Sequence, residues 1–148
     1  MPAAASGQMP AALESLPKGH QFPPTSFELI PEWVREYTES VDDDTIGALG
    51  PGLVPPMAVA ALSVRALLES APLPVGAVHV AQELAFSRPV SEGQGLVVKA
   101  GVASRGERQG WVLMGVDLQV ETDRHELVMT GKAMVTFPSG VGPGTRNA

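Results

Sequence analysis

The chain has 148 residues, 44% of them apolar, a formal net charge of −6 and an isoelectric point near 4.9. That length accommodates one domain with a real core, and the acidity argues against nucleic acid and against an anionic membrane surface as partners. Cysteine is absent, which removes disulfides, thiolate metal sites and a cysteine nucleophile together, while His20, His79 and His125 lie too far apart for a metal-ligand spacing.

Met1 to Pro24 is rich in Ala, Pro and Gly and has little periodicity, and residues 1–18 are expected to be flexible. It holds no cationic n-region and no apolar core of signal-peptide length, so a cytoplasmic protein is expected. Phe27 to Ile30 is a short strand candidate. Pro31 then opens a helix, PEWVREYTES, with Trp33 or Val34 and Tyr37 on one face, and Val41-Asp42-Asp43-Asp44-Thr45 ends it. After the Gly/Pro loop Ile46 to Val54, Pro55-Pro56 starts a second helix that runs to Ser70. Met57 to Leu62 is apolar throughout, and only Ser63, Arg65, Glu69 and Ser70 suit water, so this helix is mostly buried. At about sixteen residues it is too short to span a bilayer. Its alanines let a sheet approach closely.

Four strand patterns follow Pro72-Leu73-Pro74. In the first, Val78, Val80, Leu84 and Phe86 alternate with His79, Ala81, Glu83 and Ala85, with Gln82 the one polar residue on the apolar side. Leu96, Val98, Ala100 and Val102 line the second, and the Gly106 to Gly110 turn closes a hairpin with the third. There Val112, Met114, Val116, Leu118 and Val120 form a strict period-two face. Leu127, Met129, Ala133, Val135 and Phe137 line the last, and residues 139–148 form a flexible Gly/Pro tail. Helices followed by bunched antiparallel strands predict one α+β domain over about residues 19–138. An antiparallel sheet of about five strands, long enough to curl around one central helix at about residues 55–70, is the hot-dog arrangement. Such sheets commonly pair edge to edge, so a dimer or a larger assembly is expected.

Leu84 to Gly93, LAFSRPVSEG, resembles the F-x-R-P-V-x-x-G segment of the MaoC-like dehydratases, the hot-dog family that includes (R)-specific enoyl-CoA hydratases. The helix before an Asp-rich turn and the long helix after a Gly/Pro loop fall in that family's order, and the resemblance covers roughly residues 19–138. It implies an acyl-CoA or related acyl thioester as substrate or ligand, no other cofactor and no metal. The family's hydratase motif, G-D-x-N-P-[LIV]-H, supplies an Asp and a His that activate water for addition to an α,β-unsaturated thioester, chemistry that needs a base and an acid within reach of one water. Laid on Val41 to Gly47, it matches Asp42 to the catalytic Asp, puts Asp44 where Asn stands, and puts Gly47 where the His belongs. Catalytic members also start the central helix with a Gly whose amide helps bind the thioester carbonyl. Val54-Pro55-Pro56-Met57 puts proline there, which has no N–H. The Pro-Pro resembles the start of the non-catalytic repeat of double hot-dog dehydratases, which makes room for the acyl chain.

The resemblance thus makes Asp42 the candidate base and Asp44, Gly50, Gly52, Val54, Met57 and Arg88 the candidate substrate-binding residues, around a pocket between the Asp42 to Val54 loop and the helix start. Plainer readings stand beside these. Asp42 to Asp44 also reads as a solvated acidic turn, Arg88 as a partner of Glu92 rather than of a CoA phosphate, and His79 as a residue of the outer face or an interface. Three functions follow: a degenerate subunit that binds an acyl thioester beside a catalytic hot-dog partner; a stand-alone hydratase or thioesterase based on Asp42; or a non-enzymatic homodimer that binds an acyl ligand.

Overall fold

Strand alternation and one apolar helix dictate the architecture, and the computed structural model describes it for residues 12–42, 50 and 52–140. A single 3-10 turn, Leu13–Ser15, precedes β1 (Thr25–Glu28), α1 (Pro31–Ser40) and α2 (Pro56–Ser70). Four longer strands follow: β2 (Val78–Phe86), β3 (Gly95–Arg108), β4 (Trp111–Thr122) and β5 (Leu127–Pro138). They form one antiparallel sheet in the order β1-β3-β4-β5-β2, with α2 on its concave face. The expected α+β arrangement of five strands around one helix is the observed one.

The period-two face of β4 is the floor of the core. Val112, Met114, Val116, Leu118 and Val120 are all buried, together with Leu96 and Val102 of β3 and Val135 and Phe137 of β5. α2 lies on this floor through Ala58, Val59, Leu62, Ser63 and Ala66. Alanine at two of those five positions brings the helix backbone close to the strands, as the sequence implies. The hydroxyl of Ser63 is fully enclosed and has no hydrogen-bond partner among the described residues. α1 packs across α2, and Arg65 sits 5.4 Å from the centre of the Trp33 ring in a cation–π contact.

The packed chain starts earlier than the expected boundary at residue 19. Leu13 and Leu16, assigned to a flexible segment by composition, are buried in the core with Phe22. The backbone from Gly19 to Phe22 runs along the outer edge of β3. Gly19 donates to the Val102 carbonyl at 2.8 Å, Val102 donates to His20 at 2.8 Å, and Phe22 donates to Ala100 at 2.9 Å. With β1 paired to Gly95–Val98, the first part of the chain covers that edge for most of its length.

Candidate functional site

Proline shapes the start of α2. Pro55 caps the helix and its carbonyl accepts from both Ala58 (2.9 Å) and Val59 (3.2 Å). Pro56 has no amide hydrogen. Of the first-turn donors that a helix offers to an anion or a carbonyl oxygen, only the Met57 N–H has no acceptor among the described residues. The loop before it is tied to the Arg88–Gly93 segment by a short ladder. The Val54 amide donates to Val90 at 2.9 Å, Glu92 donates to Gly52 at 2.8 Å, and Leu53 bridges Ser91. Gly93 in turn donates to Leu29 at 2.7 Å, and the Val90 side chain is buried beneath. Gly52 and Gly93 both take positive φ, 77° and 82°, where a side chain would be strained.

A β-bulge sets the other end of the site. His79 pairs with Val135 and Ala81 with Met134, leaving Val80 unpaired between them. Side chains before and after such an insertion lose their simple alternation, so His79 shares the inner face with Gln82 and Leu84. This corrects the sequence reading, which put His79 on the face opposite Leu84. His79 and Gln82 form the polar lip of a cavity of about 100 Å³ beneath the second half of α2. Val64, Leu67, Leu68 and Ala71 form its roof; Ala133, Val135, Val116 and Leu118 form its floor; Leu13 and Phe22 stand at its far side. The Gln82 amide is fixed by donating to the carbonyls of Glu83 and Lys132, each at 3.2 Å. A broader depression of about 720 Å³ on the outer face is lined by Lys99, Asp117, Lys132 and Glu83 among others. It is open, and charges of both signs alternate across it.

The edge of β2 beside this lip is unpaired among the described residues and exposes apolar side chains: Val78 at 54%, Val80 at 57% and Phe86 at 41%.

No family model and no curated protein matches the sequence. Solved structures do. The (R)-hydratase from A. caviae involved in PHA biosynthesis superposes with a TM-score of 0.69 at 22% identity, over 84% of this chain and 98% of its own. A MaoC-like dehydratase from Rhodospirillum rubrum gives 0.70 at 19% identity, over 87% and 97%. The HadBC complex from Mycobacterium tuberculosis, a 3R-hydroxyacyl-ACP dehydratase, gives 0.63 at 24% identity, over 80% and 93%. The chain has the hot-dog fold.

Within this hot-dog domain the predicted site residues fall into separate groups. Asp42 is exposed at the end of α1 with φ 52°, its amide donating to Glu39 at 3.3 Å. Asp44 and Gly47 lie outside the described residues. Gly52 and Val54 belong to the ladder that leads into the hot-dog helix, with Gly50 half-buried just before it and Met57 exposed on the first turn. None of these lines the apolar cavity. Arg88 is ion-paired with Glu126 of the β4–β5 turn, not with Glu92, so its charge clamps two connections at one end of the sheet. Sequence reasoning missed the cavity because Leu13 and Phe22 come from the irregular N-terminal stretch and because the bulge is invisible to a period-two count.

Glu121 is the one described carboxyl group whose titration is clearly displaced. The hydrogen bond from Lys99 Nζ at 2.8 Å is the main cause that lowers it, opposed by burial and aided by His125 and by Gln119 at 2.6 Å. It lies on the sheet next to a turn and away from the cavity, where it serves structure. Among the described residues no group of acids and histidines could hold a metal ion, and no helix is long and apolar enough to cross a membrane.

Proposed function

We propose that this chain is an acyl-thioester-binding subunit of the MaoC-like group, which receives the acyl chain of a substrate held jointly with a catalytic hot-dog partner at the β2 edge. The observation that carries this reading is the apolar cavity whose polar lip sits on the β2 edge, which is unpaired among the described residues. A partner that adds a strand to β2 satisfies its unpaired backbone groups, covers Val78 and Val80, and stands directly beside the cavity mouth. A thioester bound at the junction then has an apolar channel for its chain in this subunit.

Loss of catalytic groups agrees with that division of labour. Addition of water to an enoyl thioester needs donors aimed at the thioester oxygen, where negative charge grows in the transition state. The start of α2 keeps one such donor at Met57, since Pro56 has none and the next two amides are taken by Pro55. Gly47 provides no side chain to act as acid or base. The HadBC structure is itself a complex of a hydroxyacyl-ACP dehydratase, and the present subunit is assigned a comparable place.

The test is hydration of trans-2-enoyl-CoA esters, followed by loss of the conjugated thioester absorbance. The expected result is no turnover by the protein alone and turnover when a hot-dog chain carrying the Asp/His pair is added. Turnover by the protein alone, abolished in Asp42→Asn, would replace this reading with a stand-alone enzyme based on Asp42. Saturable acyl-CoA binding to a homodimer, with no turnover and no partner, would make it a binding protein.

A further inference from the structure

The cavity crosses the sheet rather than following a strand. From the lip at Gln82 the inner-face row runs through Ala133 of β5 and Val116 of β4 towards Val102 of β3, the strand edge to which the N-terminal segment is bonded. Neighbouring strands lie about 4.8 Å apart, so a chain that enters at β2 passes over β5 and β4 and meets Leu13 and Phe22. Both are buried. Backbone hydrogen bonds from Gly19, Val102 and Phe22 hold this segment, and Arg105 Nη1 reaches the Leu16 carbonyl at 3.5 Å. The far wall is therefore made by the Leu13 and Phe22 side chains, carried on a segment whose main chain is bonded to the sheet.

We infer that the N-terminal strap, residues 12–22, is the length gauge of the acyl site: it ends the cavity and restricts the protein to short acyl chains. This rests on the proposed acyl-thioester function. A water molecule occupies about 30 Å³ of liquid, and a methylene is of similar size. A cavity of about 100 Å³ thus takes roughly three to four carbons. Each methylene buried in it strengthens binding about fourfold, and a methylene beyond the wall adds nothing or must displace the strap.

The experiment is calorimetric titration of the full-length protein with straight-chain acyl-CoA esters from butyryl to decanoyl. Affinity is expected to rise to about the four- to six-carbon esters and then to level off or fall. Leu13→Ala removes the wall's tip and is expected to move that break at least two carbons longer, raising octanoyl-CoA affinity at least fourfold. Ala133→Leu fills the floor midway and is expected to move the break shorter. It keeps the test decisive if Leu13→Ala fails to fold, as judged by its thermal melt. Affinity that climbs unbroken to decanoyl-CoA, or a break that neither variant moves, overturns the strap as gauge and leaves the acyl-binding reading intact. No binding of any ester by the wild-type protein overturns both.

Discussion

The two edges of the sheet have been treated in opposite ways. Along β3 the chain spends its own first segment, residues 19–28, to bond the strand and bury Phe22 beneath α2. Along β2 none of the described residues pairs with the outer edge, and valines stand where soluble proteins usually place lysine or proline. An open apolar edge is an aggregation hazard unless something pairs with it, and a covered edge is a closed wall. The cavity under α2 runs between the two, so one end faces a prospective partner and the other faces the chain's own strap.

Substitutions at the two edges should separate these roles. The largest effect is expected on the covered side, where Phe22→Ala removes a buried ring and costs about 3 kcal/mol of stability, read as a lowered urea midpoint. On the open side, Val80→Lys should leave the stability of the isolated chain within about 0.5 kcal/mol. It should weaken association through this edge at least tenfold, about 1.4 kcal/mol, which sedimentation at several concentrations would detect. Equal stability losses at the two positions would dissolve the distinction. Midway between the edges, Ser63→Ala replaces an enclosed hydroxyl that has no partner, and a gain of about 1 kcal/mol is expected. A loss of that size would mean the hydroxyl has a partner in solution.

The smallest effect concerns β3 and β4 on the covered side. The Glu121 carboxyl titrates below its ordinary 4.5 mainly because Lys99 donates to it. A carboxyl with a depressed folded-state value stabilises the fold above its unfolded value and loses that contribution as the pH falls through the folded one. The wild type should therefore melt above Glu121→Gln at neutral pH, with the gap closing only as the pH drops below 4.5. A gap independent of pH would show that the charge is not its source.

Elements with strong periodicity were legible in advance. The face of β4 from Val112 to Val120 and the apolar run of α2 needed no tertiary information, because alternation and helical spacing are properties of a few neighbouring residues. What was hidden depends on contacts between distant parts. Leu13 and Leu16 sit in a stretch that looks solvated by composition, and only β3 and α2 make a place for them. Arg88 finds Glu126, 38 residues away, in preference to the nearby Glu92. Of the candidate site, the proline-blocked helix start was readable from Val54 to Met57, whereas the cavity was not, since its walls come from five separate segments.

The surplus residue in β2 has a mechanical meaning. If the strand's first three residues slid by one place, so that Val80 stood opposite Val135, the imidazole of His79 would turn outward and an isopropyl group would replace it at the opening. The amino acids would be the same, and the entrance would change from one that accepts and donates hydrogen bonds to one that repels water. The character of this doorway is thus held by slack in the Pro72–Ala77 connection, one residue's worth of rope between a helix end and a strand.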